Sequence, residues 1–109
     1  MSCGDAEDCK VELDAAQQSY DAAKREADSA QDRLYDTDHL ESEAEQAWLN
    51  AQNTGDPRES ERAWKEYQKA KGDARDALDR KSEADREVEE AGRRLDAARN
   101  AYNDAVWHS

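Results

Sequence analysis

The sequence predicts an all-α fold, a long antiparallel two-helix coiled-coil hairpin with an alanine-rich seam. Three observations lead to it. Alanine recurs at every seventh position from Ala63 to Ala105, the first half of the chain repeats with the same period, and one helix-breaking segment separates the halves. With 40% charged and 36% hydrophobic residues, the composition is compatible with disorder as well as with long helices. A disordered chain does not need so regular a pattern, so the period favours paired helices.

Helix 1 is predicted over about residues 5–52, because two series with a period of seven run through it without a skip. In heptad notation (letters a to g) they occupy positions a and d, which face the partner helix in a coiled coil. Position a holds Leu13, Tyr20, Ala27, Leu34, Glu41 and Trp48, and position d holds Ala16, Ala23, Ala30, Thr37, Ala44 and Ala51. Ala6 and Cys9 extend the pattern towards the N-terminus.

The segment NTGDPRE carries the signals that end one helix and begin another. Gly55 can adopt the left-handed conformation that terminates a helix. Asp56 is a candidate N-cap, Pro57 suits the first helical position, and Glu59 stands where a capping box has its acidic residue. A turn is therefore predicted at residues 53–56. So short a connection makes the two helices antiparallel neighbours.

Helix 2 is predicted over residues 57–107, with the alanine series at position d. Position a then holds Tyr67, Ala74, Lys81, Val88, Leu95 and Tyr102. The whole chain, residues 1–109, thus forms a single helical hairpin.

The alanines are explained by laying the two seams antiparallel. Residues whose numbers add up to 111 then share a layer, so that Leu13 meets Ala98, Trp48 meets Ala63, and Leu95 meets Ala16. Most layers combine one large side chain with one alanine, which lets the backbones approach closely while the large side chain fills the gap.

An alanine seam between two helices buries little apolar area, so dimerisation into a four-helix assembly is expected. Large apolar residues outside the seam form the candidate interaction surface. They are Tyr35, Leu40, Leu49, Trp64 and Leu78 near the turn, and Val106 and Trp107 at the other end. The expected occupant is another protein with a basic or helical surface, or a second copy of the chain. The alternative is that these residues broaden the packing within the hairpin itself.

The net charge of −12 is divided unevenly. Residues 1–52 hold 14 acidic residues against 4 basic ones, whereas residues 53–109 hold 14 against 12. The acidic half repels nucleic acid and membrane surfaces and attracts a basic partner. No apolar run reaches the roughly 18 residues of a transmembrane helix, and the acidic N-terminal segment is not a typical secretory signal. A cytoplasmic location is expected, with export that needs no cleaved signal left open.

Neither enzyme activity nor a catalytic, cofactor or metal site is expected. The sequence has no phosphate-binding glycine loop, nucleophile elbow or Glu-x-x-His motif. Cys3, Cys9 and His108 share one end of the predicted hairpin, but the spacing of the cysteines is not that of a zinc knuckle. Cys3 is expected to be a free thiol and Cys9 an apolar residue of the seam. A disulfide between them requires the intervening chain to leave the helix.

Two functions follow from the residues. The first is a non-enzymatic structural or protein–protein interaction protein, an adaptor, scaffold or assembly subunit that presents a rigid acidic coiled-coil rod. The second is an acidic nucleic-acid mimic that inhibits a DNA- or RNA-binding protein by occupying its basic channel. The charge of the first half favours the mimic, whereas the Lys and Arg residues interleaved through helix 2 count against it.

A third function comes from a resemblance. With 109 residues, two predicted helices and a tryptophan near the turn, the chain resembles the WXG100 family of small secreted helical hairpins. Trp48-Leu49-Asn50 lies at the place of the family's Trp-x-Gly motif, with Asn50 where the family has glycine. The family's Tyr-x-x-x-Asp/Glu export signal is not matched, since Val106 follows Tyr102 at that spacing. The resemblance implies a dimer that leaves the cell through a specialised secretion system.

Overall fold

A computed structural model describes residues 3–108; the ends of the predicted hairpin at residues 1, 2 and 109 lie outside the described residues. Two α-helices, α1 (Ala6–Thr54) and α2 (Pro57–Trp107), make up nearly all of the described chain. The two helices pack against each other, and residues 3–108 contain no strand. The predicted all-α helical hairpin is therefore confirmed.

The N-terminus of α1 is capped by Asp5. Its carboxylate accepts a hydrogen bond of 2.9 Å from the backbone N–H of Asp8, and its carbonyl accepts one of 2.9 Å from the N–H of Cys9. Because an N-cap residue has a non-helical backbone, Asp5 separates the helix from the preceding residues. The helix begins at Ala6, one residue after the cap.

The turn uses the predicted residues in part. Gly55 has a φ of +76°, the left-handed conformation expected of it. The carboxylate of Asp56 accepts a 2.9 Å hydrogen bond from the N–H of Arg58, which confirms Asp56 as the N-cap of α2. The predicted end of helix 1 near residue 52 is two residues early, because α1 continues to Thr54.

The capping box differs from the prediction. In a capping box the Glu59 carboxylate would accept a hydrogen bond from the N–H of Asp56. That N–H instead donates to the hydroxyl oxygen of Thr54 at 3.3 Å. The Thr54 hydroxyl donates to the carbonyl of Ala51 at 2.7 Å and also lies 3.2 Å from the Glu59 carboxylate. Thr54 takes the place of Glu59 because the last turn of α1 extends far enough to reach the start of α2.

The seam follows the heptad pattern, with every predicted a and d position buried or half-buried. The hairpin divides into a loop unit, residues 29–82, and a terminal unit, residues 3–28 and 83–108. In the loop unit the buried residues are Thr37, Ala51, Ala74 and Ala77. In the terminal unit they are Cys9, Ala27, Ala84, Ala91 and Leu95. Small side chains dominate both lists, as close approach of two backbones requires.

Two contacts show how the seam accommodates its larger and polar members. In the terminal unit, the Tyr20 ring lies 3.6 Å from the point that a Cβ on Gly92 would occupy. In the loop unit, Thr37 is only 6% exposed, and its hydroxyl bonds to the carbonyls of Arg33 and Leu34 at 2.9 and 3.1 Å. The polar group of Thr37 is therefore satisfied within its own helix, so its burial leaves no unpaired hydroxyl.

Candidate interaction surface

The heptad register divides the surface of the loop unit into two flanks. Around a helix, positions e and b lie beside position a, whereas positions g and c lie beside position d. One groove beside the seam is lined by residues at a, b and e: Leu34, Asp38, Glu41, Lys71, Ala74, Arg75 and Leu78. Another is lined by residues at c, d and g, among them Asn50, Arg62 and Glu66. The two grooves therefore lie on opposite flanks.

We call the first side the Trp64 flank. It consists of Tyr35, Asp38, Glu45 and Leu49 of α1 and Trp64, Lys71, Arg75 and Leu78 of α2, all at positions b or e. The side with the c and g positions is the Leu40 flank.

Four of the predicted interface residues share the Trp64 flank. Tyr35, Leu49, Trp64 and Leu78 are large and apolar, yet each is between 40% and 67% exposed. Leu40, at position g, lies on the opposite flank and is 56% exposed. The predicted surface near the turn is thus divided by the helical register, because the five residues from Tyr35 to Leu40 along α1 rotate a side chain by about 140°.

An aromatic cluster anchors the Trp64 flank close to the turn. The ring centroids of Trp48 and Trp64 are 4.7 Å apart, and those of Trp48 and Tyr67 are 5.8 Å apart. Both distances are typical of favourable aromatic pairs. Trp48 is half-buried in the seam, and Trp64 packs against it from position e. Trp64 also lines a surface groove together with Pro57, Ser60 and Glu61, so one side of its ring is held while another is open to a partner.

Charged groups surround the third ring of the cluster. The ammonium of Lys71 lies 5.4 Å from the centroid of the Tyr67 ring, within the range of a cation–π contact. The pKa of the Tyr67 hydroxyl is raised, mainly by loss of solvation and further by the carboxylates of Glu45 and Glu41. These carboxylates oppose a negative phenolate and therefore favour the neutral hydroxyl of Tyr67.

A band of charge separates the apolar residues of the Trp64 flank. On α1 the band is anionic, with Asp38 and Glu45, and on α2 it is cationic, with Lys71 and Arg75. Among the residues that the structure describes, no ion pair includes Lys71 or Arg75. Sequence reasoning missed this band. The signal for it was the charge at positions b and e, which in this band is negative on α1 and positive on α2. These positions are seen to share one flank only when both helices are considered together.

The predicted surface at the other end belongs to the terminal unit. Val106 lies at position e, and Trp107, at position f, is 84% exposed. Val11, also at an outward position, is an exposed apolar residue of this unit that the sequence prediction left out. These residues belong to the terminal unit and are therefore treated apart from the Trp64 flank, which lies in the loop unit.

The two cysteines correct one expectation. Cys3 and Cys9 form a disulfide with their Cα atoms 5.0 Å apart, and no cysteine among residues 3–108 is free. The expected free thiol at Cys3 is therefore wrong. The physical reason is that α1 begins only at Ala6, so the chain before Asp5 is free to fold back to the helix. Cys9 nonetheless occupies the buried seam position predicted for it.

Other chemical features of the described residues are modest. Residues 3–108 contain no group of three or more His, Cys, Asp or Glu side chains arranged to hold a metal ion. His39 is exposed and lies 3.0 Å from Glu43 on the same helix. Neither α1 nor α2 has an apolar stretch long enough to cross a membrane.

Comparison with protein-family models, with curated proteins and with solved structures finds no match to this chain.

Proposed function

We propose that this protein is a non-enzymatic interaction protein, an adaptor or assembly subunit that docks another protein chain on the Trp64 flank. The observation that carries the proposal is the placement of Tyr35, Leu49, Trp64 and Leu78. These large apolar side chains are exposed on one flank of a chain in which few residues of that kind occur at all. Large exposed apolar side chains that share one side of a protein are candidate anchors for a partner.

The composition of the flank supports protein docking in particular. Binding energy at protein interfaces is concentrated in a few residues, with Trp, Tyr and Arg the most frequent. Trp64 is already held by the Trp48 ring 4.7 Å away, so its immobilisation on binding costs little further entropy. The grooves on the flank run beside two helices, a surface that suits an apolar face of a partner helix.

The charge of the protein bears on the choice of partner. The net charge of −12 accelerates encounter with a basic surface, mainly through residues 1–52. This charge also keeps nucleic-acid mimicry as a second candidate function. Competition by DNA for a captured partner, together with loss of binding at high salt, is the result expected of a mimic. Capture that DNA does not compete supports docking on the Trp64 flank instead.

The disulfide informs the proposed location. Disulfides persist in oxidising compartments and are rare in the reducing cytoplasm. The Cys3–Cys9 bond therefore favours a location outside the cytoplasm, in line with the export that the resemblance to WXG100 proteins implies. Alkylation of the protein without prior reduction, followed by mass spectrometry, tests this proposal. Unmodified cysteines in protein from the culture supernatant are expected, and alkylated cysteines in protein confined to the cells contradict it.

Photo-crosslinking tests the docking surface with a matched control. A photoreactive amino acid is placed at Leu78 or at Leu40, which are similarly exposed, at 52% and 56%, but lie on opposite flanks. In the native host, we expect adducts of defined mass from position 78 at several times the yield from position 40. Equal yields from both positions, or no adduct from either, contradict the proposal.

A further inference from the structure

We infer that the chain docked on the Trp64 flank is a second copy of this protein, with α2 of each copy lying on α1 of the other. The loop units of the two copies then form a four-helix dimer. This inference rests on the proposed function, because it names the partner of the same flank.

The two helices of the flank carry complementary sequences of side chains. Along α2 the order is apolar, cationic, apolar: Trp64, then Lys71 and Arg75, then Leu78. Along α1, read in the same spatial direction, the order is apolar, anionic, apolar: Leu49, then Glu45 and Asp38, then Tyr35. The apolar residues are 14 positions apart on both helices, roughly 21 Å. Each helix therefore matches the other in spacing as well as in chemistry.

A dimer can use this match if its two-fold axis lies in the interface and runs parallel to the helices. This axis places α2 of one copy over α1 of the other, with both turns at the same end. Within one copy, residues whose numbers add up to 111 are level with each other, so Trp64 is level with residue 47 and Leu78 with residue 33. Leu49 and Tyr35 are each offset from these levels by two residues, or about 3 Å. A two-fold axis parallel to the helices allows no shift along them, so each apolar pair keeps this offset, which is short enough for its large side chains to stay in contact.

The charged band selects this arrangement over the other face-to-face dimer. With the two-fold axis parallel to the helices, Lys71 of one copy is level with residue 40 of the second copy. That level lies between Asp38 and Glu45 of the second copy. A two-fold axis across the helices would instead place α2 on α2, with Lys71 against Lys71. Like charges that face each other across an interface are strongly unfavourable. Lys71 and Arg75 also have no ion pair within the described chain that binding would have to break.

The exposed area is large enough for such a dimer. The chain exposes 8114 Å² of surface. Specific interfaces bury about 800 Å² on each partner. One such interface covers about a tenth of the exposed surface of the chain.

Charge reversal on the purified full-length chain tests the inference. One variant carries Lys71→Glu and Arg75→Glu, and the other carries Asp38→Lys and Glu45→Lys. Each is expected to dimerise about 100-fold more weakly than the wild type in sedimentation equilibrium, because like charges then face each other. An equimolar mixture of the two variants restores opposite charges and is expected to form a heterodimer. The control, Arg62→Glu with Lys69→Glu, makes the same charge change on the Leu40 flank and should dimerise like the wild type.

The outcomes separate this inference from the proposed function. A wild-type protein that is monomeric at tens of micromolar, or a mixture that stays monomeric, overturns the second copy as partner. If position 78 nevertheless crosslinks to a chain of different mass, the docking surface stands and only its occupant is wrong. If position 78 gives no adduct either, both proposals fail.

If circular dichroism shows that a charge-reversal variant does not fold, a second pair of variants tests the inference instead. Leu78→Asn should weaken dimerisation at least tenfold because Leu78 loses its apolar contact with Tyr35 of the second copy. Leu40→Asn is the matched control on the other flank and should leave dimerisation unchanged. An equal effect of the two substitutions, or no effect of Leu78→Asn, overturns the inference.

Discussion

Leu95→Ala with a compensating leucine from the opposite helix is the most direct test of the alanine seam. Leu95 is 6% exposed, and the layer rule places it opposite Ala16. The substitution removes three carbon atoms from a buried position, which at about 0.8 kcal/mol each amounts to about 2.4 kcal/mol. This value lies near the lower end of the range for buried leucines, as expected because a seam between two helices is narrow and its edges can relax.

The compensating change is Ala16→Leu in the Leu95→Ala background. A leucine at position 16 points into the same layer, so we expect it to recover about half of the lost free energy of unfolding. The control is Ala15→Leu in the same background, because Ala15 is exposed at position c and points away from the seam. Its added side chain should recover nothing.

Urea unfolding monitored by circular dichroism measures all four proteins at one concentration, since dimerisation would make stability concentration-dependent. Recovery by Ala15→Leu equal to that by Ala16→Leu would refute the layer assignment. A loss below about 0.5 kcal/mol for Leu95→Ala would refute the claim that this layer contributes to the core.

Three further predictions concern single positions. Gly72→Ala should raise the free energy of unfolding by about 0.5–1 kcal/mol, because alanine favours the helix and no neighbouring side chain lies within 4 Å of the new Cβ. Gly55→Ala should lower the free energy of unfolding, because Gly55 has a φ of +76°. A change of the same sign for both variants in urea unfolding would contradict the argument. The raised pKa of Tyr67 stabilises the fold at pH values below about 10, where the unfolded chain also keeps its phenolic proton, and this contribution is lost as the pH rises through the folded-state pKa. Tyr67→Phe should therefore lose less stability than the wild type between about pH 9 and pH 11, whereas parallel stability curves would show that the hydroxyl has no such role. Reduction of the disulfide, or Cys3→Ser, should lower the free energy of unfolding by at most about 2 kcal/mol, since the closed loop is short. Amide hydrogen exchange should then accelerate only in the first turns of α1. A loss of protection throughout the hairpin would contradict a local effect.

The helices and their seam could be predicted from the sequence because both depend on local pattern. A period of seven places apolar residues in a stripe along each helix. That stripe is buried whatever the exact register of the partner helix. The cap at Asp56 and the left-handed Gly55 were likewise predictable, since each depends on the conformation of one or two residues. The exposure of the predicted apolar residues follows from the same heptad positions, because b, e, f and g lie outside the a and d positions of the seam.

Other features required the tertiary arrangement. The Cys3–Cys9 bond depends on where the chain leaves the helix, which a heptad pattern extended to the N-terminus does not indicate. Thr54, and not Glu59, accepts the hydrogen bond from the Asp56 N–H, and this depends on how close the end of α1 comes to the start of α2.

The sequence by itself determined two helices, their antiparallel order and the residues of their seam, because helical periodicity and turn residues act over a few neighbouring positions. Only the tertiary structure decided that Trp64 packs on Trp48, and that Lys71 and Arg75 of α2 line one groove with Asp38 of α1. The physical reason is that a flank is composed of side chains from two helices distant in sequence. Its chemistry exists only once the packing of the seam has set one helix beside the other.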